Sequence, residues 1–260
     1  MFDIVFVVLV YRNTEDLKDF FRSNQLPYTK TIVVNSYYDD ESEASFKEIA
    51  EKNGADFLSV PNNGYGAGNN RGIEHALAKY TFKYLVISNA DIMIQRLDMA
   101  TMEKMGDVII APKIINLNNR NQNPSAPFAP HKFSLLLWKF IYENDLRPLS
   151  WCMFAWSRMK KILYYFISRW HRQVFSAHGA FVVFPVSVLK KLVPIYNEKM
   201  FLFVEEEHLG MLALSKGIKT VYCPEIIIRH KENGSMNIAS VNEFEKTKQS
   251  YLIYYNYWFS

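Results

Sequence analysis

Residues 55–91 read ADFLSVPNNGYGAGNNRGIEHALAKYTFKYLVISNAD, and the reading of this stretch sets the fold. ADFLSV (55–60) is a short strand pattern, and KYLVISNAD (83–91) is a second, with its polar residues gathered at the carboxyl end. Between them NNGYGAGNNRGI (62–73) reads as a Gly/Asn loop leading into a helix expected from about Asn70 to Tyr80. Strand, crossover and strand in this order predict a parallel βαβ unit.

The pattern extends in both directions. DIVFVVLVY (3–11) is a continuous apolar run, followed by the helical TEDLKDFFRS with Thr14 as its expected N-cap. TIVVN (31–35) is another strand, ESEASFKEIAEKNG a helix that stops at Asn53-Gly54, and DVIIAP (107–112) a further strand. Strands this apolar are buried on both faces, so the expected class is α/β, a mostly parallel sheet with helices on each side. Ligands bind such sheets beyond the carboxyl ends of the strands. Arg12, Asn13, Asn35, Ser36, Asn89 and Asp91 all fall there.

After Pro112 the pattern changes. NLNNRNQNPSAPFAP (116–130) reads as a polar loop, with helices at about 131–144 and 150–172. HGAFVVFP (178–185), KTVYCP (219–224) and EIIIRH (225–230) are expected strands, Glu206 to Lys216 a helix, and the tail an aromatic helix. We read one domain over 1–260, in two halves, 1–112 and 113–260.

Composition narrows the class. With 49% hydrophobic and 22% charged residues the chain has the balance of a folded protein, which excludes global disorder. Two cysteines, Cys152 and Cys223, exclude a disulfide framework and fit a reducing compartment. The first strand carries Asp3 and no basic n-region, and no run of about 18 uncharged apolar residues occurs. The expectation is a cytoplasmic protein without a membrane span. Charge is uneven: Leu146 to Asn197 holds no acid and eight Lys/Arg, so that stretch carries +8 and leaves −4 on the remainder of a +4 chain. Such asymmetry predicts an anionic partner.

Three short runs offer chemistry. SNAD (88–91) ends a strand with an amide and a carboxylate two apart, hence on one face; it reads as a turn or as a hard-cation site at a diphosphate. FLFVEEEHLG (201–210) sets Glu205, Glu206 and Glu207 at a helix start, favoured by the helix dipole and also suited to a general base. RHKENGS (229–235) places His230 at a strand end before a Gly-Ser turn, as a structural histidine or as a metal or phosphate contact. The glycines Gly64, Gly66, Gly68 and Gly72 match neither the GxGxxG spacing nor a GK[ST] phosphate loop. They let the backbone approach a ligand closely ahead of a helix N-terminus that favours anions.

In this order the motifs resemble those of family 2 glycosyltransferases, in particular the rhamnosyltransferase-like branch of bacterial surface-polysaccharide synthesis. VYRN (10–13), VVNS (33–36), NNGYGAGNNRGI, SNAD, HGAFVVF, FLFVEEEHL and RHKENGS carry the resemblance over roughly residues 3–235. It implies a GT-A fold with a nucleotide-binding half (1–112), an acceptor half (113–260) and inverting transfer of a sugar from a nucleotide diphosphate to a hydroxyl. By that resemblance Asp91 would bind Mg²⁺ or Mn²⁺ with Asn89 beside it, and His230 would help hold metal or phosphate. Val10, Tyr11, Arg12 and Asn35 would contact base and ribose, while Gly66, Asn69, Asn70 and Arg71 would line the donor site. Glu206 would be the base, with Glu205 beside it. The partners implied are a nucleotide-sugar donor and a glycan acceptor, often carried on a polyprenyl diphosphate. Asn35 departs from the family's aspartate, His208 from its second acid, and the His230 turn is one residue longer.

WCMFAWSRMKKILYYFISRWHR (151–172) has apolar residues at 152, 155, 156, 159, 162, 163, 166, 167 and 170, with Arg158, Lys161, Arg169 and Arg172 expected opposite. Two readings are open: a helix whose stripe faces the core, or one lying on an anionic membrane surface, which would make the protein peripheral on the inner face of the cell membrane. No nucleic-acid-binding motif accompanies the basic residues.

Overall fold

The computed structural model describes residues 1–167, 172–232 and 242–260. In chain order they form β1 (Phe2–Val10), α1 (Thr14–Ser23), β2 (Thr29–Ser36), α2 (Asp40–Lys52), β3 (Asp56–Val60) and α3 (Tyr65–Lys79). There follow β4 (Phe82–Asn89), β5 (Ile92–Arg96), α4 (Met99–Met105), β6 (Ile109–Asn116), α5 (Lys132–Glu143) and α6 (Arg147–Ile167). The chain ends with β7 (Gln173–Val174), β8 (Phe181–Pro185), α7 (Val186–Leu192), α8 (Glu205–Ser215), β9 (Thr220–His230) and α9 (Glu243–Phe259).

The described residues form one nine-stranded sheet of order β3-β2-β1-β4-β8-β6-β9-β5, with β7 beside β9. β3, β2, β1 and β4 are parallel, β8 runs against both β4 and β6, and β9 is parallel to β6. The chain winds outward from β1 to β3 and returns to β4 on the other side of β1. In such a sheet the point of reversal, at the carboxyl ends of β1 and β4, is where a ligand crevice is expected. β1 shows why its run is apolar throughout. Ile4, Phe6, Val8 and Val10 pack with Leu17, Phe20, Phe46 and Met102 on one face, while Val5 and Val7 pack with Ile73, Ala76, Leu189 and Leu209 on the other. A third cluster, away from the sheet, joins Leu135 and Tyr142 of α5 to Met200, Val204, Tyr251 and Tyr254.

Several boundaries differ from the sequence expectation. α1 is capped by Asn13, whose side chain accepts from the Glu15 N–H, and not by Thr14. KTVYCP and EIIIRH form one strand, β9, with a bulge that absorbs Pro224 opposite Pro112/Lys113. β5, which no periodicity announced, crosses to the far edge and pairs antiparallel with β9.

The largest difference is α3, which starts at Tyr65 and takes in most of the expected loop. Glycine is a poor helix former, so the run reads as loop. Its lack of a Cβ is nevertheless what the packing needs. A Cβ on Gly72 would lie 2.4 Å from Val7 Cγ1 and 2.8 Å from Val34 Cγ2, and one on Gly68 would lie 2.5 Å from Leu9 Cδ1. The glycines thus seat the helix backbone directly on β1 and β2. Gly64, the N-cap, has φ +103° and ψ 174°, a region open essentially to glycine, and a Cβ there would meet the backbone of Phe201. Gly64→Ala is expected to cost about 3 kcal/mol or more, from both backbone strain and overlap. Gly54→Ala is the control: φ is +64° with nothing within 4 Å of the added Cβ, and the cost should be about 1 kcal/mol. Denaturant midpoints of the two variants measure the difference.

At the opposite end of the sheet from the crevice, Asp56 is the hub of a charged cluster. Its Oδ2 lies 2.7 Å from His75 Nε2, Lys79 Nζ and the Tyr80 hydroxyl, which donates, and its Oδ1 lies 2.9 Å from Lys30 Nζ. Burial pushes the carboxyl upward, but the bonds from Lys79, His75, Tyr80 and Lys30 outweigh it and hold it well below its ordinary 3.8. A carboxylate with a depressed folded value stabilises above its unfolded value and loses that contribution as pH falls. Stability should therefore begin to drop near pH 4 and continue below it. Asp56→Asn should lose about 3 kcal/mol at pH 7 and flatten that acid dependence, as read from urea unfolding at stepped pH.

Candidate active site

Strand register brings the first pair of groups together. β4 ends at Asn89, the Ala90–Asp91 turn sends the chain to β5, and β5 pairs with β9 so that Ile92 faces His230. The Lys231 N–H donates to the Asp91 carbonyl at 3.0 Å. Asp91 Oδ1 then lies 3.2 Å from His230 Nε2, both residues being buried. His230 Nδ1 is 2.8 Å from Gln122 Oε1, while Gln122 Nε2 donates to Glu232 at 2.7 Å. Since that amide oxygen accepts, Nδ1 carries the hydrogen, and in the neutral ring Nε2 turns its lone pair toward the Asp91 oxygen. With Nε2 protonated the two form an ion pair; with Nε2 bare, two acceptors face each other and a cation can sit between them.

The donor set fits one divalent ion: a carboxylate and an imidazole at 3.2 Å can share it as neighbouring ligands. The imidazole favours Mn²⁺ over Mg²⁺. Among the described residues no group of three or more His, Cys, Asp or Glu gathers to hold a metal, so phosphate oxygens and water would complete the shell. Lys231 pins this corner to α1 through Asp16 and Asp19, each at 2.7 Å.

Glu206 is the second centre. Phe203 and Val204 take positive φ, 71° and 70°, a strained approach for such side chains, and deliver three acids into the first turn of α8. The Gly179 N–H donates to Glu206 Oε1 at 2.5 Å, and the Ser125 hydroxyl donates to Oε2. The side chain stays about a quarter exposed, at 26%. His178 connects the two centres: its Nδ1 is 3.7 Å from Glu206 Oε1, and its ring meets that of His230 edge-on at 5.8 Å. Because His178 Nδ1 accepts from the Ala180 N–H at 3.1 Å, it is the neutral form that fits. Burial, helped by His230 and Lys161 and opposed by Glu206, favours that form.

Glu205 is different in kind. It is buried, its Oε1 has no hydrogen-bond partner among the described residues, and burial together with Glu206 and Glu207 pushes it up to about 8. At neutral pH it is a protonated acid. Burial raises Glu207 to about 7, with Glu206 adding to the effect. Lys161, expected on a solvated face, is half-buried and interacts with Glu206 and Glu207.

Along the crevice the other residues sort by role. Arg12 has φ +66° and lays its guanidinium 3.8 Å from the centre of the Tyr38 ring, with Tyr11 edge-on to that ring at 5.6 Å. Val10 points into the core. Asn35 and Asn69 are buried, each with a carboxamide oxygen that no described group satisfies. Gly66 packs on Tyr196, and Asn89 is half-buried, with its N–H donating to the Ala180 carbonyl at 2.9 Å. Asn70 is a clasp: its amide donates to the Tyr196 carbonyl and to Glu198, and its oxygen accepts from the Tyr196 N–H at 3.3 Å. Arg71 also pairs with Glu198. Both residues are thus engaged with segment 196–198.

Sequence reading passed over Gln122, Ser125 and His178. Gln122 and Ser125 lie in the polar loop before α5, which carries no periodicity; only its density of Asn and Gln marked it. The Gly234-Ser235 turn after His230 lies outside the described residues, as do Arg169 and Trp170.

No protein-family profile matches this sequence, and no curated protein sequence matches it. Solved structures do. S. aureus TarS 1–349 superposes with a TM-score of 0.56 at 12% identity, covering 99% of this chain and 72% of that one. GalNAc-T7, crystallised with UDP, GalNAc and Mn²⁺, gives 0.60 at 13% identity over 90% of this chain. The chain spans 44% of GalNAc-T7 and 44% of a longer TarS structure. These likenesses establish the fold as the GT-A arrangement, the class implied by the order of the motifs.

Proposed function

We propose that this protein is an inverting glycosyltransferase, moving a sugar from a nucleotide-diphosphate donor to a hydroxyl of a glycan acceptor. The observation that carries the reading is the continuous row Asp91–His230–His178–Glu206. In it a carboxylate–imidazole pair that could share a cation lies close to a hydrogen-bonded carboxylate. Tyr38, Tyr11 and Arg12 offer a stacking face for a nucleobase at the ends of β1 and β2. Glu206, oriented by Ser125 and Gly179, takes the proton of the acceptor hydroxyl as its oxygen attacks the anomeric carbon and the nucleoside diphosphate leaves. Asp91 and His230 would hold Mn²⁺ or Mg²⁺, which supplies positive charge against the departing diphosphate. GalNAc-T7, with its UDP, GalNAc and Mn²⁺, supports a nucleotide-sugar donor and a divalent ion. The motif resemblance supports dTDP-rhamnose or a UDP-hexose as donor, and a lipid-linked acceptor in surface-polysaccharide synthesis.

UDP, dTDP or GDP with Mn²⁺ should raise the melting temperature by about 5 °C or more at a hundredfold excess over Kd. No shift with any of them would sink the proposal. A shift without slow hydrolysis of any nucleotide-sugar would instead mark a non-catalytic binding protein.

A further inference from the structure

The long helix α6 is turned the opposite way from an ordinary surface helix. Its buried residues are Ser150 and Tyr164, whereas Trp151, Met159, Ile162 and Phe166 are 71%, 50%, 59% and 71% exposed. With 3.6 residues per turn these four fall in one line, and Trp156 and Leu163, also exposed, widen it by a row. Of the two readings open from the sequence, the core-facing one is excluded. Arg158 and Lys160 flank the apolar face on its two sides, with Lys160 Nζ 5.8 Å from the centre of the Trp156 ring. α5, which touches α6 through Trp138 and Phe154, exposes its own line of Phe133, Leu136 and Phe140. An exposed apolar surface of this extent marks a binding site.

We propose that the outer face of α6 docks on an anionic lipid bilayer, with the helix lying in the plane of the interface. Three observations choose this occupant. The apolar face is rich in tryptophan and phenylalanine, the residues that settle at the boundary between head groups and acyl chains. Its flanks are cationic, and the chain has no acidic residue from Leu146 to Asn197, so the surface is complementary to anionic head groups. No described helix is long and apolar enough to cross a membrane, and the proposal places α6 on the bilayer, not through it. A second copy fits worse. Twofold pairing through this face would centre near residues 158–160 and bring Arg158 and Lys160 of both copies together. The inference stands apart from the reaction proposed above.

The full chain should co-sediment with phosphatidylcholine vesicles containing phosphatidylglycerol, with a blue shift in tryptophan emission, and far less with phosphatidylcholine alone. The double variant Arg158→Gln/Lys160→Gln should bind about 25-fold more weakly, about fivefold per charge. Ile162→Glu/Phe166→Glu should weaken binding at least about tenfold. The variants change exposed side chains and the half-buried Lys160, and unchanged urea midpoints and unchanged donor hydrolysis without vesicles show an intact protein. Wild-type binding by either variant, equal binding to both vesicle types, or no binding at all would overturn the proposal. A concentration-dependent dimer that Ile162→Glu/Phe166→Glu dissociates, with no vesicle binding, would reassign the face to self-association. Loss of hydrolysis in wild type would touch only the reaction.

Discussion

Asp91→Ala is expected to lower sugar transfer by about 10³-fold or more while leaving the protein folded. Among the described residues the side chain makes one polar contact, with His230, and the bond that holds the turn, from the Lys231 N–H, goes to the Asp91 backbone carbonyl. Removing the carboxylate therefore spares the strand pairing and leaves the His230 lone pair alone. A second readout separates loss of the ion from a general disturbance: the melting shift with nucleoside diphosphate should lose its Mn²⁺ dependence. A variant that transfers sugar at the wild-type rate would remove Asp91 from the site. His230→Ala, which takes away the other half of the pair, should follow the same pattern.

Glu206→Gln should cost about 10²-fold or more in turnover, as for loss of a general base. The glutamine keeps the shape: its oxygen can accept from the Gly179 N–H while its NH2 donates to the Ser125 hydroxyl, which turns from donor to acceptor, so the Michaelis constant should move little. Glu205→Gln is the informative partner. With its carboxyl raised to about 8 by burial, Glu205 is already protonated at neutral pH, and an amide is close to isosteric with that form. Its replacement should leave turnover at pH 7 within a few-fold. If Glu205→Gln alone reproduces the large loss, the base assignment passes to Glu205.

Much of this architecture is legible in the chain because burial on two faces leaves a plain mark. β1, β2 and β4 read as apolar runs, and their polar ends fall where the crevice opens. Asp91, Glu206 and His230 could be singled out as types at strand or helix ends. Their adjacency could not, because it depends on β5 crossing to β9 and on the register Ile92 to His230, which no local pattern records. His178 and Gln122 enter through long-range contacts for the same reason. The glycines of α3 misled in another way. Propensity speaks against helix there, and the reason they sit in one lies in Val7, Leu9 and Val34 of the sheet beneath. In α6 the period located an apolar face but left its sense open, because periodicity does not say what covers the face.

The start of α3 carries one more consequence. The Tyr65 N–H donates to the Phe201 carbonyl, the Tyr65 hydroxyl to Gly179, and Asn70 and Arg71 hold 196–198. A helix formed by the first half of the chain is thus fastened by its first two turns to segments of the second half that lie more than a hundred residues away. Neither half can lose these bonds singly, so local opening of the acid-bearing loop and fraying of α3 become one event. The two halves should therefore behave as a single cooperative unit in hydrogen exchange and in unfolding.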